Sequence, residues 1–179
     1  MKTELTQILN SVKNGSMTVE EAALKLKITP FEDIGYAKID LHRKIRQGAA
    51  EVIYGAGKTA VQIAGITETM LKNGQENILI TRLDPKAAEF LKKTVELDYH
   101  EDAKIGIIGQ IPAPDGIGKI VVAAGGTSDI PVAEEAALTA EVLGNQVERL
   151  YDVGVAGLHR LLKHLDEIMN ASVIIAVAG

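Results

Sequence analysis

From residue 119 onward the chain alternates apolar, strand-length runs with helical segments, and this alternation restricts the fold more than any other feature. KIVVAA (119–124) reads as a strand, 131–143 as a helix, 147–151 as a second strand, 155–169 as a second helix and 173–178 as a third strand. Val132, Ala136, Ala140 and Leu143 recur at helical spacing, as do Leu158, Leu161, Leu162 and Leu165. Strands separated by helices pair in parallel through right-handed crossovers. SVIIAVAG (172–179) is apolar on both faces, which predicts a strand whose sheet carries helices on both sides. An open doubly wound sheet usually has about five or six strands. The three strands here would be completed by N-terminal strands, by a partner chain or by residues beyond Gly179.

The earlier part of the chain is also α/β. Leu5, Ile8, Leu9 and Val12 share one face of a helix over 3–13, and Thr18 with Glu21 forms a capping box for a short helix through Leu26. Residues 36–58 mix short strand-like pieces with the basic segment DLHRKIRQG. A second capping box, Thr59 with Gln62, opens a helix lined by Ile63, Ile66 and Met70 that stops at Asn73-Gly74. NILIT (77–81) predicts a strand, Asp84-Pro85 the start of a helix reaching about Leu97, and KIGII (104–108) a further strand. IPAPDGIG (111–118), with two prolines and two glycines, is the best candidate for a domain boundary. The expected division is an N-terminal α/β domain, 1–116, and a nucleotide-binding domain, 117–179.

Composition removes several function classes. The sequence has no cysteine, which excludes disulfides, thiolate zinc sites and a thiol nucleophile from these 179 residues. A net charge of −5 gives no general attraction to nucleic acid or to an anionic membrane. The apolar run VIIAVAG is too short to span a bilayer, and the N-terminus lacks a secretory apolar core, so a cytoplasmic protein is expected.

The chemistry-bearing residues cluster after the predicted parallel strands. In GGTSD (125–129) the glycines permit close backbone approach, and the following helix start offers free N–H groups to a phosphate. Gly126, Thr127 and Ser128 suit a phosphate, while Asp129 suits a ribose hydroxyl or a proton. The same residues also make an ordinary turn and helix cap, and spacing alone leaves both readings open. After the next strand, YDVGVAGLHR (151–160) offers Asp152, His159 and Arg160 as substrate contacts at the same sheet edge; Asp152 also suits a helix cap, Arg160 an anion and His159 a proton. On sequence alone a solvated helix surface explains His159-Arg160 slightly better. YGAGKT (54–59) is not a P-loop, because the position of its required first glycine is Val52. Lys58, with Arg43 and Arg46 of the basic segment, remains a candidate second set of anion contacts. No aromatic platform accompanies His42, Arg43, Lys44 and Arg46, which argues against nucleic acid. The four histidines, at 42, 100, 159 and 164, show no metal-ligand spacing.

These residues bring a family into view. GGTSDIPVAEEAALTAEVLGNQVERLYDVGVAGLHRLL (125–162) resembles the core of the LarB family, the pyridinium-biscarboxylic acid mononucleotide synthases, and HRKIRQGAAEVIYGAGKT (42–59) resembles its N-terminal region. The resemblance covers nearly the whole chain. The C-terminal part of LarB is similar to PurE, the aminoimidazole ribonucleotide carboxylase or mutase, in which a Gly-Ser-x-Ser-Asp loop holds phosphate and ribose and an Ala-His-Arg segment follows the next strand. Thr127, Ser128 and Asp129 fall on the first motif; Gly157, Leu158, His159 and Arg160 fall on the second. The implied fold is an N-terminal α/β domain followed by part of a PurE-like, flavodoxin- or Rossmann-like parallel three-layer sheet.

The resemblance implies a step in synthesis of the nickel-pincer nucleotide, the lactate racemase cofactor. Nicotinic acid adenine dinucleotide is carboxylated at the pyridinium C5 with CO2 or bicarbonate as co-substrate, and its phosphoanhydride is hydrolysed to release AMP. A pyridinium is electron-poor, so C5 becomes nucleophilic only after a thiolate adds to the neighbouring ring carbon. A carboxylate then takes the C5 proton. The family places these two groups in a Gly-Met-Glu segment and at a cysteine, both downstream of VAG. The chain therefore reads as a C-terminally shortened LarB that binds substrate without carboxylating it, with no catalytic residue of its own. The resemblance also implies a homo-oligomer, an octamer for the full-length member, and no covalently bound cofactor; it leaves Mg2+ at the anhydride open. The alternatives are a PurE-like carboxylase and a non-catalytic nucleotide-binding module.

Overall fold

The computed structural model describes residues 2–28, 31–41, 43 and 51–179, with the side chains of 2–5 and 26–28 outside the description. The chain divides into two compact units, Met1–Glu51 and Val52–Gly179. In the first, α1 (Lys2–Lys13) and α2 (Val19–Ile28) precede an antiparallel pair, β1 (Phe31–Asp33) and β2 (Lys38–Asp40). The Thr18–Glu21 capping box forms as the sequence predicts. Glu21 N–H donates to Thr18 Oγ1 at 3.1 Å, and Thr18 N–H donates to the Glu21 carboxylate at 2.9 Å.

The second unit begins with β3 (Val52–Tyr54), α3 (Ala60–Lys72), β4 (Ile78–Thr81), α4 (Pro85–Leu91), β5 (Leu97–His100) and β6 (Ile105–Ile108). The strands form one sheet in the order β3-β4-β6-β5, parallel between β3 and β4 and antiparallel elsewhere. Thr59 and Gln62 cap α3 reciprocally, its Ile63, Ile66 and Met70 are buried, and Gly74 ends it in the left-handed region at φ 83°. Asp84 caps α4, but that helix stops at Leu91 instead of reaching 97. Leu97 pairs with Ile108, and Tyr99 O–H donates to Leu83 O at 3.0 Å, so LDYH is an edge strand. Its two-residue alternation is too brief to stand out beside the preceding helix.

The remaining elements are β7 (Lys119–Ala124), a 3-10 turn at Thr127–Asp129, α5 (Ile130–Val142), β8 (Gln146–Leu150), a 3-10 turn at Val155–Gly157, α6 (Leu158–Leu162), α7 (Leu165–Met169) and β9 (Val173–Val177). The strands are parallel in the order β8-β7-β9. Val122 and Ala124 face Ala133 and Ala137 of α5, whereas Val121 faces the side on which Leu161 and Ile168 of α6 and α7 pack. Helices thus lie on both faces, and the predicted α/β class with a PurE-like parallel layer is present. The segment 111–118 falls between the two sheets, inside the second unit.

Four expectations need correction. The N-terminal strands do not complete the parallel sheet, because β3 to β6 form a separate one. The helix expected over 155–169 is broken: His164 N–H bonds back three residues to Leu161 O, and Leu158, Leu162 and Leu165 are exposed. The buried face of α5 is Ala133, Ala137, Leu138 and Ala140, with Val132 and Leu143 exposed. That helix packs on two sides, its alanines on β7 and Leu138 on Leu79, Ile105 and Ile107, so a single apolar stripe does not describe it. Finally, β9 stands last in the order of the described strands, with Ile175 and Val177 packed toward α5 and Val173 and Ile174 exposed. No described helix is long and apolar enough to cross a membrane.

Candidate functional site

The order β8-β7-β9 means that the chain leaves β7 in one direction and returns past it in the other. Loops at the carboxyl ends of strands beside such a reversal form the usual ligand crevice of open α/β sheets. Gly125 extends β7 by donating its N–H to Val177 O at 2.9 Å. The chain then turns at Gly126 and enters the Thr127–Asp129 turn that leads into α5.

Asp129 does not act as an ordinary N-cap for α5. Its side chain reaches back across the turn and accepts Gly126 N–H on Oδ2 at 2.8 Å, while Asp129 N–H donates to Gly126 O at 3.0 Å. This double tie fixes the glycine turn and leaves Oδ1 available to a ligand hydroxyl. Thr127 and Ser128 are exposed at the tip. They occupy the start of the helical segment, where N–H groups have no acceptor within the helix and the dipole favours an anion.

The second loop is held against the first. After Leu150 pairs with Ala123, Tyr151 and Asp152 leave the ladder, and Val153 N–H rejoins it by donating to Ala124 O at 3.0 Å. The excursion puts Asp152 in the left-handed region at φ 58°, a conformation that aspartate tolerates better than most residues. Gly154 then passes so close to Gly125 that a Cβ there would overlap the carbonyl oxygen of Gly125 and lie 3.2 Å from its carbonyl carbon. Only glycine fits this approach.

Asp152 is paired with Arg160 through Oδ2 and Nη1, on side chains 46% and 41% exposed. Arg160 Nε is shielded and has no hydrogen-bond partner among the described residues. His159 is exposed beside it on α6. The β8 stem is braced from α5. Arg149 donates to both oxygens of Glu141 at 2.5 and 2.8 Å and to Glu134 at 3.2 Å, and Tyr151 O–H donates to Glu134 at 2.7 Å. The bonds to Glu141 hold the Arg149 guanidinium above its ordinary range against the opposing effect of burial. Burial first, and then the bond to Glu134, raise the Tyr151 phenol.

The structure therefore gathers Gly126, Thr127, Ser128, Asp129, Asp152, His159 and Arg160 at one sheet edge. Sequence reasoning missed Gly125 and Gly154, which lock the loops together, and the Arg149–Tyr151 brace. The GG and VGV glycines were the only local signal for the lock. Lys58 Nζ donates to Tyr54 O at 2.6 Å, after the four-stranded sheet's β3. Arg43 lies in the first unit and pairs with Glu51 at 3.3 Å. Arg46, with His42 and Lys44, lies outside the described residues. No group of three His, Asp or Glu side chains among the described residues is arranged to hold a metal ion.

A family profile described as LarB/PurE-like N-terminal domain matches residues 31–110. The chain is also 35% identical, over its whole length, to an uncharacterized protein of Methanocaldococcus jannaschii, of which it covers 73%. The chain belongs to the LarB family. Its membership carries a carboxylase-type function of the LarB/PurE group. The LarB N-terminal match ends at 110, just before IPAPDGIG, so the matched region includes the whole four-stranded sheet. The loops around Gly126 and Asp152 lie outside that match, in the parallel sheet.

Proposed function

We propose that this LarB-family chain binds nicotinic acid adenine dinucleotide at the carboxyl edge of β7 and β8, in a cytoplasmic reaction that carboxylates the pyridinium C5 and hydrolyses the phosphoanhydride. In balance, CO2 replaces the C5 proton, and water cleaves the P–O–P bond to give AMP and the biscarboxylated mononucleotide. The observation that carries the reading is the tied turn: Asp129 holds Gly126 N–H at 2.8 Å beside the exposed Thr127 and Ser128. Such a turn offers N–H groups and hydroxyls to the mononucleotide phosphate, with the free Asp129 oxygen for a ribose hydroxyl. Arg160 adds a cation to the phosphate, and His159 is free to exchange a proton. The match over 31–110 favours the pyridine dinucleotide over an aminoimidazole ribonucleotide.

The 179 residues contain no cysteine, so the thiolate that would activate the ring is not one of these side chains. Their role is to bind and orient. Calorimetry with nicotinic acid adenine dinucleotide tests this on the wild type and Asp129→Ala. Losing a charge-assisted bond and a ribose contact should weaken binding about 10- to 100-fold. Equal affinity for the two proteins would overturn the assignment of the turn. Carboxylated mononucleotide formed by these residues alone, detected by mass spectrometry, would overturn the thiolate route.

A further inference from the structure

We infer that Gly157 is a positioning residue for Arg160, its missing side chain leaving the space through which the guanidinium folds back to Asp152. The inference rests on the nucleotide reading above for its consequence, but its geometry stands on its own. A Cβ at Gly157 would lie 2.5 Å from Arg160 Nε, 2.9 Å from Cζ and 2.9 Å from Nη2, so an alanine methyl and the present guanidinium cannot coexist. Gly157 is buried, with φ −126° and ψ 55°, outside the positive-φ region that only glycine favours. Its N–H donates to Gly154 O at 2.9 Å, a bond that alanine retains. An alanine there is therefore met by the flexible end of Arg160, which must move aside, and not by the backbone.

Asp152 completes the device. Its left-handed backbone lifts the carboxylate out of the β8 line to meet Arg160 Nη1. That pairing fixes the guanidinium over the Val155–Gly157 turn, with Nε shielded and Nη2 the nitrogen left for an incoming phosphate. Asp152 thus acts on the ligand through Arg160, a different role from the direct contact that the sequence suggested.

Two measurements test this. In nuclear magnetic resonance of arginine side chains, the Arg160 Nε–H should exchange slowly in the wild type and fast in Gly157→Ala and Asp152→Asn, with the amide spectrum otherwise preserved. An unchanged Arg160 signal in Gly157→Ala overturns the inference whatever the ligand is. Binding of nicotinic acid mononucleotide is then measured across a cycle of Gly157→Ala and Arg160→Ala. Gly157→Ala should cost about tenfold in the presence of Arg160 and less than about twofold in its absence, the non-additivity expected of residues in contact. An equal loss in both backgrounds overturns the inference, since the glycine would then act through the loop. If Arg160→Ala binds like the wild type while the exchange result holds, the positioning is supported and the nucleotide reading of the site fails.

Discussion

An alanine at position 154 would press its methyl group onto the carbonyl of Gly125, well inside the 3.0 Å below which a Cβ contact forces movement. The backbone at Gly154, φ −62° and ψ 156°, is open to alanine, so torsional strain plays no part. Two effects oppose each other. Alanine reduces the freedom of the unfolded chain and stabilises by about 0.4–1 kcal/mol, while overpacking against backbone costs about 1–3 kcal/mol. The obstacle is a main-chain carbonyl whose neighbour Ala124 O accepts Val153 N–H, so it cannot swing aside as a side-chain tip would. The net expectation is destabilisation of about 1–2 kcal/mol, which lowers the melting temperature by roughly 3–8 °C for a unit of this size. Calorimetric melting measures it. Gly126→Ala is the control, because its Cβ would meet Asp129 Oδ2 at 3.7 Å and Ser128 Oγ at 3.9 Å, ordinary contacts. It should melt near the wild type, yet bind nucleotide less well for crowding the phosphate. A Gly154→Ala protein as stable as the wild type would refute the claim that the two loops are locked by backbone contact.

Two further outcomes are expected elsewhere. Lys104 turns β5 into β6 at φ 51° with its side chain exposed, so Lys104→Gly should raise stability by about 0.5–1 kcal/mol in urea unfolding. Loss of stability there would mean that the lysine side chain matters more than its backbone. Tyr151 titrates above its ordinary value of 10.0 when folded. A raised folded value gives stability that is complete below the unfolded value and is lost as pH rises past it, so the protein should weaken from about pH 10 upward. Tyr151→Phe should cost about 1 kcal/mol at neutral pH and flatten that alkaline decline. Tyr99, raised by burial and then by Glu101 and Asp84, supplies the part that remains. An identical alkaline slope in wild type and variant would remove Tyr151 from the account.

β7 and β9 were legible as short apolar runs, and β8, the mixed segment QVERL, by its place between two helical ones; β7 occupies 119–124 as read. Both capping boxes were legible because they are local, with donor and acceptor three residues apart. What escaped depended on distant partners. The inward face of α5 is decided by two sheets at once, and the edge strand β5 by its pairing with β6. In the site, the residue types were visible in GGTSD and YDVGVAGLHR, but not the pairing of Asp152 with Arg160. The meeting of Gly154 with Gly125 was equally hidden, since it exists only once β8 lies beside β7.

Helix α5 has a mechanical consequence. Leu138 is seated among Leu79, Ala103, Ile105 and Ile107, and Val142 packs beside it, while Ala133 and Ala137 bear on Val122 and Ala124. The proline-glycine stretch at 111–118 looks like a seam, yet cutting it would leave both pieces gripping the same rod. Arg82 adds a strap, its Nε 2.8 Å from the Glu135 carboxylate. The four-stranded layer, part of the region that matches the LarB N-terminal domain, thus packs directly on the helix that starts beside Asp129, next to a loop which that region does not itself contain.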